Sequence, residues 1–131
     1  IVRVLESKTA REVLRVLREL RQEFGEDFGK LFKAIFCDNG CEFAAAKAME
    51  QFAPIYYCHP YSSWERGTNE NQNKLIRRFC KKATSIARVT ADHAEYITHW
   101  KNNYPRRLHG WRRPADLMAA ECAALGIKLA V

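Results

Sequence analysis

Three short runs rich in β-branched and aromatic residues alternate with stretches of helical periodicity. They are "IVRVL" at 1–5, "KAIFCDNG" at 33–40 and "PIYYCHP" at 54–60. This alternation constrains the fold more than any other feature, because strands separated by helices predict parallel pairing through crossover connections, an α/β architecture. The reading is of three strands, with "KAIFCDNG" buried and stopped by its Asp-Asn-Gly turn signal. Between the first two runs, Thr9 is the expected N-cap of a helix, with Glu12 three residues on in the capping-box pattern. Val13, Leu14, Val16, Leu17, Leu20 and Phe24 then recur at helical spacing until Gly25. A short helix is predicted for "EFAAAKAMEQF", and further helices over 68–82, over 90–103 behind a Thr90 cap, and over 114–125. Ile97 and Trp100 fall on the inner side of the helix over 90–103, and Tyr56, Tyr57 and Phe79 are assigned to the core. Residues 1–125 read as one domain and 126–131 as a tail. Opening without Met inside an apolar run, the sequence is expected to be cut from something longer.

Charge is segregated. Residues 66–113 hold twelve Lys/Arg against three Asp/Glu, while 1–65 hold nine against ten, and 114–131 one against two. The whole +7 excess therefore lies in one internal block. Such segregation gives the molecule a face for an anionic partner, and nucleic acid is favoured over a membrane surface or an acidic protein. No apolar run approaches the roughly 20 residues of a membrane span, and no secretory signal opens the chain. Five irregularly spaced cysteines fit reduced thiols in a cytoplasmic protein, with Cys37 and Cys58 acting as small core residues. Cys37, Cys41 and the Cys58–His59 pair do not complete a tetrahedral zinc set in register.

Two acidic positions stand out. Asp38 ends a strand-like run, where functional groups of open α/β sheets collect. Glu70 opens the helix over 68–82. At about 100° per residue, Lys74, Arg77, Arg78 and Lys81 fall within roughly 80° of Glu70, and Leu75, Ile76, Phe79 and Ala83 lie opposite. Either Glu70 and Lys74 form an ordinary i,i+4 pair on a solvated face, or the carboxylate belongs to a site set in a surface for a polyanion. Metal-assisted phosphoryl transfer is the chemistry that needs acids beside cations in this way, the acids holding divalent ions and the cations tracking phosphates.

"FCDNGCEF", "YYCHPYSSWERGTNENQNKLIRRF" and "NNYPRRLHGW" resemble the catalytic core of DDE transposases of the insertion-sequence family numbered thirty, related to retroviral integrases. The resemblance runs over roughly 1–120 and implies a ribonuclease H-like fold, N-terminally truncated, with about three strands and flanking helices. It implies that Asp38 and Glu70 are the second and third acids of the catalytic triad and ligands of Mg2+ or Mn2+. It further implies that Lys74 and Arg77 face DNA, that Asn73 supports the site beside Asn39, Gly40 and Gly67, and that 59–67 form the active-site loop. Arg78, Lys81 and Arg66 join the DNA-facing set. Trp64 either stacks on an unpaired base or latches the loop. Arg106 and Arg107, with Arg112, Arg113 and Trp111, read as a DNA-contacting tail or as a solubilising loop.

Two departures accompany the match. Thirty-one residues separate Asp38 from Glu70, so the segment near 44–51 looks shortened. The first Asp of the triad is absent, so the chain alone is expected to be inactive or nearly so. The implied activity is DNA strand cleavage and 3′-hydroxyl strand transfer, in a bacterial cytoplasmic, nucleoid-associated enzyme whose intact form is a homo-oligomer acting on element ends and target DNA. The alternatives are a catalytically inactive DNA-binding remnant and a ribonuclease H-like nuclease.

Overall fold

In a computed structural model of the chain, residues 1–38, 40, 42, 45–59, 67–80 and 89–127 are described. The molecule is mixed α/β and divides into two compact units, Leu5–Lys74 and Ile1–Val4 together with Leu75–Val131.

The first unit begins with α1, Ala10–Phe24. Thr9 is extended, and its Oγ1 accepts the Glu12 amide at 3.4 Å, the expected N-cap. Glu12 does not reach back to the Thr9 amide position; its carboxylate accepts the Glu6 amide at 3.2 Å and pairs with Arg15 at 2.9 Å. The Arg15 hydrogen bond, ahead of that from the Glu6 amide, holds the Glu12 carboxyl below the usual carboxylate range. Gly25 closes the helix at φ 51°, a conformation that disfavours a side chain, with its amide donating to the Arg21 carbonyl. Replacing Thr9 by Ala leaves the Glu12 amide without its cap and is expected to cost about 1 kcal/mol in chemical denaturation, with Thr9→Ser nearly neutral.

A short helix, α2 (Phe28–Leu31), strand β1 (Ile35–Cys37), helix α3 (Ala46–Met49) and strand β2 (Ile55–Tyr57) follow. The strands pair in parallel, Ile35 opposite Ile55, Phe36 opposite Tyr56 and Cys37 opposite Tyr57, as alternation with helices predicts. Phe28, Met49, Cys37, Ala53, Leu20 and Cys58 form the buried core of this unit. Phe28 stacks on Phe32 at 4.6 Å between centroids, and Phe24 meets Phe32 edge-on at 5.4 Å. Cys37 and Cys58 are buried as expected, and burial pushes the Cys37 thiol up to about 11.

Three expectations are corrected here. The run at 1–5 forms no strand: Val2 donates its amide to Thr98 Oγ1 at 2.8 Å, and 1–4 belong to the other unit. A strand needs a neighbouring edge, and β-branched composition alone does not supply one. Second, β1 is covered on one face. Cys37 is buried, whereas Phe36 is 63% exposed and stacks across the sheet on Tyr56 at 5.3 Å. Third, Tyr56 and Tyr57 are exposed rather than core. Among the described residues the sheet has two strands, and apolar content does not reveal which side of so small a sheet is covered.

The second unit centres on α5 (Ala91–Asn103) and α6 (Pro114–Ala124). Thr90 Oγ1 caps α5 by accepting the His93 amide at 3.2 Å, and Pro114 opens α6 where no intrahelical amide is needed. Ile97, Ala94, Cys122 and Ile127 are buried. Phe79 meets Tyr96 and Trp100 edge-on at 5.7 and 4.9 Å, and Trp100 stacks on Tyr104 at 4.8 Å, so Phe79 and Trp100 do pack inward.

Candidate metal and nucleic-acid site

Asp38 stands immediately after β1, half-buried, where the strand releases its chain into a turn. Its Oδ1 accepts the Gly40 amide at 3.2 Å, an Asx-type turn that orients the carboxylate. A Cβ added at Gly40 would come within 2.5 Å of the Glu42 carboxylate, the mobile end of a side chain that can shift aside. Glu42 pairs with Lys8 at 3.5 Å and is itself largely covered. Sequence reading passed over Glu42, although its place four residues after Asp38 in "DNGCE" was the available signal.

Glu70 lies in the first turn of α4, Gly67–Ile76, in the same compact unit as Asp38. A carboxylate there is favoured by the helix dipole. Its Oε1 is 3.5 Å from Lys74 Nζ, with both side chains mostly exposed. The i,i+4 pair is therefore present, and at such exposure it contributes only a few tenths of a kcal/mol. A cation could replace lysine at little cost. Carboxylate oxygens are hard donors of the kind magnesium and manganese take alongside water and phosphate. Among the described residues no group of three or more His, Cys, Asp and Glu side chains gathers as a metal site. Asp38 and Glu70 are of the donor type a hard divalent ion takes, and they lie in the same compact unit.

Helix α4 was expected to continue to Lys82; it ends at Ile76. The Arg78, Phe79 and Cys80 amides turn back onto the Leu75 and Ile76 carbonyls at 3.2, 3.0 and 3.0 Å. Phe79 is drawn to Tyr96 and Trp100, a tertiary contact that overrides the helical period. The cationic stripe is consequently not one continuous helical face. Lys74 belongs to the first unit, and Arg77 and Arg78 to the second. Lys74, Arg77 and Asn73 are exposed, and Gly67 is half-buried at the helix start. Arg78 is exposed as well, with its guanidinium over Trp100 and Tyr104 at 5.7 and 5.8 Å from the ring centres.

In the second unit, Arg106 is half-buried and donates to the Lys101 carbonyl at 3.5 Å, while Arg107 is exposed. Arg113 is held by a two-pronged bond to Asp116 at 2.8 and 2.6 Å and reaches Asn103 at 3.3 Å. Its hydrogen bond keeps the Asp116 carboxyl below the usual range. Lys101 is buried, and burial, with Arg106 adding repulsion, lowers its pKa. Asn39, Trp64, Arg66 and Lys81, expected at the site, lie outside the described residues, as do 60–66 of the expected active-site loop.

No protein-family model matches the sequence. Similarity to curated proteins is direct. The chain is 36% identical over 123 residues, 89% of its length and 36% of the relative's, to a probable transposase for insertion-like sequence element IS1161 of Streptococcus salivarius. It is 41% identical over 88 residues to the transposase for insertion sequence element IS4351 of Bacteroides fragilis, covering 66% of this chain and 27% of that one. Transposase InsI for insertion sequence element IS30A of Escherichia coli (strain K12) is 33% identical over 91 residues, 68% of this chain and 24% of the relative. The chain thus spans about a third or less of each of these proteins.

Proposed function

We propose that this chain, a relative of the insertion-sequence transposases, forms part of a ribonuclease H-like catalytic core that cuts DNA and joins the freed 3′-hydroxyl to a target strand. The observation that carries this reading is sequence kinship over most of the chain with proteins named as transposases. The segregated positive charge supports it from the physical side.

In this reading Asp38 and Glu70 hold Mg2+ or Mn2+. When bound there, such an ion would supply Lewis-acid chemistry for phosphoryl transfer, with Asp38 and Glu70 as the residues that would hold it. The Gly40 amide presets the Asp38 carboxylate before any ligand arrives, reducing the ordering cost of binding. Lys74 balances Glu70 while the site is without DNA and moves to a backbone phosphate when DNA enters. Arg77 and Arg107, both exposed, add phosphate contacts that position DNA without reading its sequence. The partners are element ends and target DNA, the working form is a homo-oligomer, and the setting is the bacterial cytoplasm at the nucleoid. None of the described helices is long and apolar enough to cross a membrane.

Metal binding tests the site separately from activity. Mn2+ titrated into the chain and followed by electron paramagnetic resonance is expected to bind weakly at one site. Asp38→Asn and Glu70→Gln should each weaken it about tenfold or more, as loss of one of two charged ligands predicts. Equal binding by wild type and both variants would remove these carboxylates from the site and leave the DNA-binding remnant as the better reading.

A further inference from the structure

Trp111 is the single non-glycine residue with positive φ among the described residues, at φ 65°. It follows Gly110, also left-handed at φ 60°, in the connection from α5 to α6. A bulky L-residue is sterically disfavoured there and persists only where its surroundings over-determine it. The loop does so through its own backbone. The Arg106 carbonyl accepts the Trp111 and His109 amides, both at 2.9 Å, and the Arg106 amide donates to the Arg112 carbonyl at 3.3 Å. Gly110 and Arg112 add bonds to the Arg107 and His109 carbonyls at 3.1 and 3.2 Å. Arg106 on the Lys101 carbonyl and Arg113 on Asp116 and Asn103 fasten the base of the loop to α5 and α6.

This fastening does not bury the indole. Trp111 is 69% exposed, and Leu108 in the same loop is 89% exposed. Exposed Arg107 and Arg112 flank them, and no Asp or Glu occurs from Tyr104 to Ala115. An exposed aromatic ring in a loop that also carries exposed arginines matches single-stranded nucleic acid, whose bases stack on aromatic rings while the phosphates meet arginine. An acidic peptide would satisfy the arginines but not the bare indole face. A membrane surface would call for a wider apolar face than one tryptophan and one leucine.

We propose that Trp111 is a base-stacking platform: it takes the face of an unpaired DNA base whose neighbouring phosphates are held by Arg107 and Arg112. The inference rests on the DNA reading above and deepens it by naming the form of DNA that this loop takes. The strained backbone supplies a discriminating variant. Glycine adopts φ 65° freely, so Trp111→Gly removes the ring while relieving the backbone.

The experiment measures anisotropy of a labelled duplex, and of the same duplex with a short unpaired overhang, on adding the full 131-residue chain; thermal melting runs in parallel. The wild type is expected to prefer the overhang by about tenfold, the scale of one stacked base. Trp111→Gly should lose that preference and melt no lower than wild type; Trp111→Phe should keep most of the preference. Duplex binding with no preference for the overhang overturns the stacking role and leaves the DNA reading intact. A preference that survives Trp111→Gly, or a lowered melting temperature for that variant, overturns it in favour of a packing role. Failure to bind either DNA, with Trp111-dependent binding to anionic vesicles instead, overturns both readings.

Discussion

Raising the salt concentration from 50 to 200 mM should weaken duplex binding by this chain about a hundredfold. Lys74, Arg77, Arg107 and Arg112 are exposed cations within the basic block. If each neutralises one phosphate, the logarithmic salt slope is about −3.6, and a fourfold rise in salt then gives a loss of that size. Lys74→Gln should lower the slope by about one and weaken binding evenly across DNA sequences. Lys74→Glu should do more, because it places a second carboxylate at i+4 from Glu70 and adds repulsion toward the phosphates. Filter binding over a salt series gives both quantities. A slope that Lys74→Gln leaves unchanged would take this lysine out of the interface and return the Glu70–Lys74 pair to a simple surface role.

The second large effect concerns stability. Ile97 is only 1% exposed, on the inner side of α5 beside Ala94 and Lys101. Ile97→Ala removes three buried carbons and leaves a void, at a cost of about 2–5 kcal/mol. Whole-domain stabilities are about 5–15 kcal/mol, so the variant should unfold at markedly lower urea and melt many degrees earlier. Glu95→Ala, exposed on the same helix, should stay within about 0.5 kcal/mol of wild type. Equal unfolding midpoints for the two variants would show that α5 does not pack as described. A shared fall in helicity would instead point to loss of local helix propensity.

The helix starts were legible in the sequence, and some features that depend on tertiary contacts were not. Thr9 and Thr90 announce their helices because an N-cap bond spans three residues and depends on nothing remote. The β1–β2 pairing was legible from two β-rich runs separated by a helix. The run at 1–5 was misjudged because the same residue types can extend beside a helix, where Thr98 offers Val2 a partner. The end of α4 was misplaced because Leu75, Ile76 and Phe79 continue the helical period, and only the aromatic cluster with Tyr96 and Trp100 shows why the chain turns. At the candidate site, Asp38 and Glu70 were singled out by a turn signal and helical phase, then assigned roles through motif resemblance. Glu42 was missed, since its approach to Gly40 depends on how the turn closes. The left-handed Trp111 had only Gly110 to hint at it, because a glycine marks a turn without fixing the conformation of its neighbour.

Trp100 and Trp111 occupy opposite environments, one sandwiched among Phe79, Tyr104 and Arg78, the other facing solvent. Their emission should therefore differ in colour, with blue-shifted light from the packed indole and red-shifted light from the wet one. Intrinsic fluorescence during unfolding accordingly mixes a reporter of melting with one that scarcely responds to it. Because Trp64 also emits, a chain lacking both Trp64 and Trp111 would isolate the signal that follows α5.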